Sequence, residues 1–164
     1  MIDAEVLSSL VAVDALACTI YGESRGEAVE GQIAVGCVVR NRVRAALSQL
    51  KSSDYTAICF APFQFSCWHP RGGQANYNDT MAAARSLVSV KAAGVLGAAS
   101  KNVLRQCLWI AQGLISGALR DSVRGATSYH ASYMDPFPAW AAKMVKVATV
   151  GHHIFYQEPT KAAA

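Results

Sequence analysis

The sequence predicts an α+β fold, in which a mainly helical domain carries a small antiparallel sheet formed by its C-terminal third. Three observations predict this fold. Apolar residues recur at helical spacing through much of the chain, runs with strand composition gather after residue 126, and 52% of the 164 residues are hydrophobic. A chain of this length can bury a core, and no repeat or linker divides it. We therefore expect one domain over residues 1–164.

Two helices are predicted near the N-terminus. Apolar residues recur at helical spacing over residues 4–21, and Gly22 is expected to end that helix. A second helix is predicted from about Ala28–Glu30 to about Ala46. The front half of this helix is apolar on all sides and should be buried, whereas the basic run from Arg40 to Arg44 should reach the surface.

The rest of the chain alternates regular and irregular segments. Asp54 is placed to cap a short helix, a segment rich in proline, glycine and aromatic residues reads as a loop, and three later segments have strand composition. The predicted ranges are a helix over 55–59, a loop over 61–73, helices over 79–90 and 103–115 joined by a weak link over 94–100, and strands over 127–131, 146–150 and 153–157.

The composition excludes an intrinsically disordered chain and narrows the possible partners. Charged residues make up only 16% of the chain, and the net charge of +4 is spread out, which favours a polyanionic surface over nucleic acid as a partner. No apolar run is long enough to span a bilayer, so we expect no stable membrane insertion. Five cysteines without a CxxC pair predict small buried residues in a reducing compartment.

An acidic turn between the two N-terminal helices holds the candidate catalytic residues. A carboxyl group at the end of a buried helix is partly desolvated, and desolvation favours its protonated form. Glu23 could therefore protonate the oxygen of a leaving sugar, or it could cap the next helix or pair with Arg25. Glu27 could be a second catalytic carboxylate, but its place near the start of a helix favours a structural role. Arg25 is expected to neutralise one of the two glutamates.

The loop over 61–73 offers several contacts to a polymeric substrate. Gln64 and Ser66 could hydrogen-bond to sugar hydroxyl and acetamido groups, and Trp68 could stack on a sugar ring. Phe63 and Phe65 are expected to form a small core beneath the loop.

Three histidines raise the alternative of a metal site. His152 and His153 are adjacent on a predicted strand and should point to opposite faces, so at most one of them could share a site with His130. A third ligand would have to be Asp121 or Asp135, and we predict no metal. A nucleophilic serine or cysteine also lacks support, since no GxSxG motif occurs and no cysteine has an activating neighbour.

Four motifs resemble those of the spore-cortex-lytic (SleB-type) cell-wall hydrolase family. The motifs are ACTIYGESRGEAVEGQIAVGCVVRNRV from Ala17, FQFSCW from Phe63, ATSYHA from Ala126 and VGHHIFY from Val150, with Trp140 between the last two. The resemblance implies a lysozyme-like fold and peptidoglycan cleavage, and we expect no cofactor. It also implies that the first glutamate of the Gly-Glu-x-Arg-Gly-Glu motif is the acid/base.

That glutamate is Glu23. The Glu23-Ser24 pair is also similar to the Glu-Ser of goose-type lysozymes and lytic transglycosylases, so Ser24 is expected to support Glu23, as are Arg25 and Glu27. We expect the loop at Gln64 and the strand at Tyr129 to form opposite walls of the cleft. The residues expected to bind substrate are Gln64, Ser66, Tyr129 and His153.

The implied reaction is cleavage of the β-1,4 bond between N-acetylmuramic acid and N-acetylglucosamine. The lack of a convincing second acid favours a lytic transglycosylase over a hydrolytic muramidase. Two further alternatives are a zinc-dependent N-acetylmuramoyl-L-alanine amidase that uses His130 and His153, and a non-enzymatic wall-binding or virion module.

The N-terminal residues 1–5 are acidic and lack the basic region of a signal peptide. Together with the lack of a recognisable wall-binding module, this favours a phage endolysin that lyses its host. We expect a monomer that stays in the host cytoplasm until it is released to the periplasm or cell wall.

Overall fold

The computed structural model describes residues 3–49, 54–89 and 96–159, and it confirms the predicted α+β architecture. The helices in these ranges are α1 (Asp3–Ser9), α2 (Ala12–Ser24), α3 (Val29–Gln49), α4 (Tyr55–Cys59), α5 (Gln74–Val88) and α6 (Ala98–Ser116), with 3-10 turns at Ser66–Trp68, Pro70–Gly72 and Ala139–Lys143. The strands are β1 (Ser128–Ala131), β2 (Val145–Val150) and β3 (His153–Gln157). They form an antiparallel sheet in the order β1-β3-β2.

Helix α2 lies at the centre of the helical part. Residues 15–22 are all buried, and α2 packs against α3, α4, α5 and α6. The single helix predicted over residues 4–21 is in fact two, because Val11 has an extended backbone (φ −84°, ψ 169°). Val6 and Leu10 before the break are buried, so the apolar spacing continues across it. Helix α2 also runs through Gly22 to Ser24, and the prediction that Gly22 ends it is wrong.

Helix α4 has the predicted range, whereas α3, α5 and α6 extend beyond theirs. Helix α3 begins at Val29 as expected and continues to Gln49, and α5 begins at Gln74 rather than 79. Helix α6 begins at Ala98, inside the predicted link. The sequence pattern missed this start because the first turn consists of small and polar residues, which show no apolar spacing. The predicted link at 94–95 and the end of the helix at 90 lie outside the described residues. No described helix is long and apolar enough to cross a bilayer.

The start of the basic run on α3 is buried, contrary to the prediction that the run surfaces, whereas Arg44 is exposed as predicted. Arg40 is 3% exposed and Asn41 is 7% exposed. Arg40 donates a hydrogen bond to the Leu119 carbonyl (2.7 Å), and Asn41 donates one to the Ala126 carbonyl (3.0 Å). These polar side chains satisfy carbonyls of an irregular segment that would otherwise be unpaired. They thereby fix the segment that leads into β1.

The core beneath the 61–73 loop is partly as predicted. Phe65 and Trp68 are buried, and the Trp68 indole donates a hydrogen bond to the Thr19 hydroxyl of α2 (2.9 Å). Trp68 is therefore a core residue rather than a substrate contact. Phe63 is predicted to lie in this core, but the residue is 89% exposed.

The cysteines are buried thiols, as predicted. All five are free and buried. Burial raises the pKa of both Cys59 and Cys107 to about 12, so these thiols stay protonated at neutral pH. The cysteines therefore act as small apolar residues that fill the core.

Candidate active site

Glu23 lies half-buried in the last turn of α2, where three segments of the chain meet. Its Oε1 accepts hydrogen bonds from the Ser66 hydroxyl (3.1 Å) and the Cys67 backbone N–H (2.9 Å), and its Oε2 accepts one from the Tyr129 hydroxyl (2.8 Å). Three donors fix the orientation of the carboxylate. Because Oε2 accepts one of these bonds and Oε1 two, Oε2 retains a lone pair that can carry a proton.

Gly22 explains how the Cys67 amide can come so close to α2. A Cβ at position 22 would lie 2.4 Å from the Cys67 Cβ and 2.5 Å from the Thr80 Oγ1. Glycine therefore permits both the 3-10 turn at Ser66–Trp68 and helix α5 to pack directly on the last turns of α2. Gly22 therefore does not end the helix but leaves room for the Cys67 amide to approach and donate its hydrogen bond to Glu23.

Tyr129 is a neutral donor to Glu23. Burial raises the pKa of Tyr129 well above its ordinary value, and the negative charge of Glu23 and the hydrogen bond to it raise this pKa further. The hydroxyl therefore stays protonated at neutral pH and donates to the carboxylate. Tyr129 is predicted to bind substrate, and in the structure its hydroxyl is bonded to Glu23.

Glu27 is bonded into the turn that joins β2 to β3. Its Oε2 accepts a hydrogen bond from the His152 backbone N–H (3.2 Å), and its Oε1 lies 3.0 Å from the His152 Nδ1. The carboxylate covers Gly151, where a Cβ would come within 2.0 Å of Oε2. Burial acts to raise the pKa of Glu27, but the two His152 hydrogen bonds and the charges of His153 and His152 outweigh it and lower the pKa.

His153 lies between Tyr129 and Glu27. Its ring meets the Tyr129 ring edge-on with centroids 5.1 Å apart, and its Nδ1 is 3.9 Å from the Glu27 Oε1. Burial lowers the pKa of His153, although the charges of Glu27 and Glu23 act to raise it, so the ring is neutral at neutral pH. Both His152 and His153 approach Glu27, and the prediction that they face opposite ways is wrong because His152 belongs to the turn.

Arg25 does not neutralise either glutamate, contrary to the prediction. Its guanidinium donates to Asp79 (2.9 Å) and to the Asn76 side chain, both on α5. It also lies 5.4 Å from the centroid of the Tyr21 ring. Ser24 is buried, and its hydroxyl donates to the Ile20 carbonyl (2.8 Å). Ser24 thus bonds within the last turn of α2, and Arg25 ties that turn to α5.

Arg42 is a site residue that the sequence did not reveal. Its Nε donates to the Thr127 carbonyl (2.6 Å), and another guanidinium nitrogen donates to the Gln64 Oε1 (3.1 Å). The guanidinium carbon lies 4.8 Å from the centroid of the Phe65 ring. Arg42 therefore joins the loop at Gln64 to the segment before Tyr129. The basic run at the end of α3 was its only signal in the sequence.

Three depressions reach Glu23 directly or through one of its donors. The Arg25 depression, about 400 Å³, is lined by residues that include Glu23, Arg25, Glu27, Asn76, Tyr133 and His153. The Arg42 depression, about 350 Å³, is lined by residues that include Arg42, Phe63, Gln64, Tyr129 and Trp140. The His69 depression, about 600 Å³, is lined by Phe63, Ser66, His69, Pro70, Arg71 and Gly72. Sequence reasoning named neither Asn76 nor Tyr133 as a site residue.

The residues proposed for a zinc site do not fit one. The His130 Nδ1 lies 2.9 Å from the Ala131 carbonyl oxygen and its Nε2 lies 2.9 Å from the Tyr156 hydroxyl, so both ring nitrogens are engaged. Asp121 bonds to the backbone N–H groups of Val123 and Gly125. Within residues 3–49, 54–89 and 96–159, no three His, Cys, Asp or Glu side chains gather in a way that could hold a metal ion.

Comparisons with known proteins give one family match and similar folds. A family model described as Cell Wall Hydrolase matches residues 26–156, a range that begins just after Glu23. The fold is similar to the catalytic domain of the germination-specific lytic transglycosylase SleB from Bacillus anthracis, with a TM-score of 0.57, 22% identity, and coverage of 89% of this chain and 93% of that chain.

The catalytic domain of the Bacillus cereus SleB protein is also similar, with a TM-score of 0.55, 21% identity and coverage of 89% of each chain. A search of curated proteins returned no match.

Proposed function

This chain belongs to the cell wall hydrolase family, and we propose that it cleaves the β-1,4 bond between N-acetylmuramic acid and N-acetylglucosamine in peptidoglycan as a lytic transglycosylase. The observation that carries the proposal is the Glu23 carboxylate, which three donors orient toward adjoining depressions. The Bacillus anthracis relative of the same fold is described as a lytic transglycosylase, which supports this reaction class.

The proposed reaction uses Glu23 first as an acid and then as a base. The protonated carboxyl gives its proton to the glycosidic oxygen, and the bond from the muramoyl C1 to that oxygen breaks. The C6 hydroxyl of the same muramoyl residue then attacks C1, and Glu23 takes the proton of that hydroxyl. A 1,6-anhydro ring closes, no water is consumed, and Glu23 returns to its starting state.

The surroundings of Glu27 favour this route over hydrolysis. Most glycosidases use two carboxyl groups, one of which acts as a nucleophile or activates water. The Glu27 side chain is only 11% exposed and is bonded to His152 in the turn between β2 and β3, so this carboxylate is poorly placed to reach a sugar or a water molecule. A transglycosylase can complete its reaction with Glu23 alone.

Mass spectrometry of the muropeptides released from purified sacculi tests the proposal. After borohydride treatment, a lytic transglycosylase leaves anhydromuramoyl ends that resist reduction, and this is the expected product. Reducible muramoyl ends would instead identify a hydrolytic muramidase. Intact glycan strands with newly freed alanine amines would identify an amidase, and activity that survives EDTA would count against the zinc-dependent version.

We further propose that the protein acts in host cell lysis as an endolysin, in the form of a monomer that needs no cofactor. Its positive net charge suits a polyanionic wall. Expressed in the cytoplasm of a Gram-negative cell, it should lyse the cell once chloroform permeabilises the inner membrane. Rapid lysis without chloroform would contradict the proposed retention in the cytoplasm, and a dimer in light scattering would contradict the monomer.

A further inference from the structure

Phe63 combines an exposed aromatic ring with an unusual backbone. Phe63 is 89% exposed, although a phenylalanine is normally placed in a core. Its backbone φ is +62°, in the left-handed region that is unfavourable for a bulky side chain. Residues held in such conformations tend to lie at functional sites, where the surrounding structure imposes them.

His69 holds Phe63 in this position. The Phe63 backbone N–H donates a hydrogen bond to the His69 Nε2 (3.3 Å). The two rings stack with centroids 5.9 Å apart and planes inclined by 28°. One face of the phenyl ring therefore rests on the imidazole, while most of the ring is open to solvent. The loop presents this ring outward rather than folding it into the core with Phe65.

Phe63 stands between two of the depressions beside Glu23. It lines both the Arg42 depression and the His69 depression. Tyr129 lines the first and Ser66 lines the second, and both of these residues donate hydrogen bonds to Glu23. A ligand that rests on the Phe63 ring is therefore next to residues that touch the proposed acid/base.

The groups around Phe63 are of the kinds that bind a sugar ring. A pyranose has apolar C–H faces and polar edges, so it needs a flat apolar surface with hydrogen-bonding groups beside it. Phe63 provides the surface, and Arg42 and Gln64 provide polar groups in the adjoining depression. We propose that Phe63 stacks on the pyranose ring of an N-acetylhexosamine in the glycan strand and so holds the strand across Glu23. This inference rests on the proposed function and adds a binding residue to it.

The test measures binding of inactive protein to purified sacculi by co-sedimentation. In a Glu23→Gln background, Phe63→Leu and Phe63→Gly should each weaken binding roughly tenfold, since the aromatic face is lost. Phe63→Trp should retain the binding. Trp109→Leu is the matched control, because Trp109 is also exposed but does not line any of the three depressions, and it should bind like the background protein.

A second readout separates binding from folding. Glycine tolerates a positive φ, so Phe63→Gly should keep or raise the melting temperature while it weakens binding. Unchanged binding in both Phe63→Leu and Phe63→Gly would overturn the inference, as would an equal loss in Trp109→Leu. Product release by the unmutated protein is scored separately. If products form but the Phe63 variants bind normally, this inference alone fails; if no products form, the proposed function fails.

Discussion

Glu23 and Glu27 are close in sequence and line the same depression, yet their carboxylates have different partners. Glu23 is held by two side-chain hydroxyls and one backbone amide, which come from the 61–73 loop and from β1. Glu27 is held by the ring and the backbone amide of His152, in the turn between β2 and β3.

The difference shows how the surroundings of two identical side chains can assign them different tasks. The pKa of Glu27 is lowered because the His152 bonds and histidine charges outweigh the opposing effect of burial, so Glu27 remains an anion and is a poor proton donor. The side-chain donors to Glu23 are uncharged hydroxyls, which orient the carboxyl group while leaving it next to the cleft. The partners of the two side chains, rather than residue type, distinguish the proposed proton donor from a structural anion.

The largest effect is expected for Glu23→Gln. The amide has nearly the same shape and can still accept the Ser66 and Cys67 hydrogen bonds, so the melting temperature should stay near that of the unmutated protein. Loss of the proton donor should reduce muropeptide release roughly 10²- to 10⁴-fold. Release from purified sacculi and thermal unfolding measure the two quantities, and near-full activity in a folded variant would show that Glu23 is not the acid.

The next effect is on stability and is expected for Gly151→Ala. The added Cβ would meet the Glu27 carboxylate at 2.0 Å, and φ at this position is +54°. We expect the free energy of unfolding to fall by about 2 kcal/mol. In a Glu27→Ala background the clash is absent, so Gly151→Ala should cost less there. Urea unfolding of the four proteins checks this coupling, and strictly additive losses would mean that Glu27 does not pack on the turn.

A smaller effect is expected for Tyr129→Phe, which removes one of the three donors to Glu23. Because the lost hydrogen bond orients the carboxyl group rather than the sugar, kcat should fall about tenfold with little change in KM. Steady-state assays on sacculi measure both parameters. A raised KM at constant kcat would instead make Tyr129 a substrate-binding residue, as the sequence alone suggested.

The smallest effect is expected for Glu27→Gln and depends on pH. The folded-state pKa of Glu27 is lowered from its ordinary value of 4.5, so its interactions stabilise the fold above pH 4.5 and that contribution is lost as the pH falls through the folded-state pKa. The unmutated protein should be more stable than Glu27→Gln by about 1 kcal/mol at pH 7. Urea unfolding should show this gap closing below pH 4.5, and a gap that widens there would contradict the assignment.

Much of the framework could be predicted from the sequence because apolar spacing reports which residues face the core. The same signal missed the break between α1 and α2, since Val6 and Leu10 continue the buried face up to the break. The prediction that Gly22 ends the helix rests on the frequency of glycine at helix ends, whereas the need for a glycine there comes from the packing of Cys67 and Thr80. Such packing joins segments that are remote in sequence.

Part of the candidate site could also be predicted from the sequence. Glu23, Ser66 and Tyr129 were named from motifs, and the structure brings them into contact, but spacing alone could not pair Glu23 with a hydroxyl 106 residues away. The partners of Arg25 on α5 were missed for the same reason. Phe63 was assigned to the core because its residue type is apolar, whereas its exposure is fixed by the left-handed backbone and the stack on His69.

In the proposed reaction Glu23 transfers the proton and Glu27 takes no part. Mass spectrometry can test this by counting the new glycan ends after sacculi are digested with the unmutated protein, Glu23→Gln and Glu27→Gln at equal folded concentrations. We expect anhydromuramoyl ends from the unmutated protein and from Glu27→Gln, and none above the buffer control from Glu23→Gln. New ends from Glu23→Gln together with none from Glu27→Gln would show that Glu27, and not Glu23, is the catalytic acid.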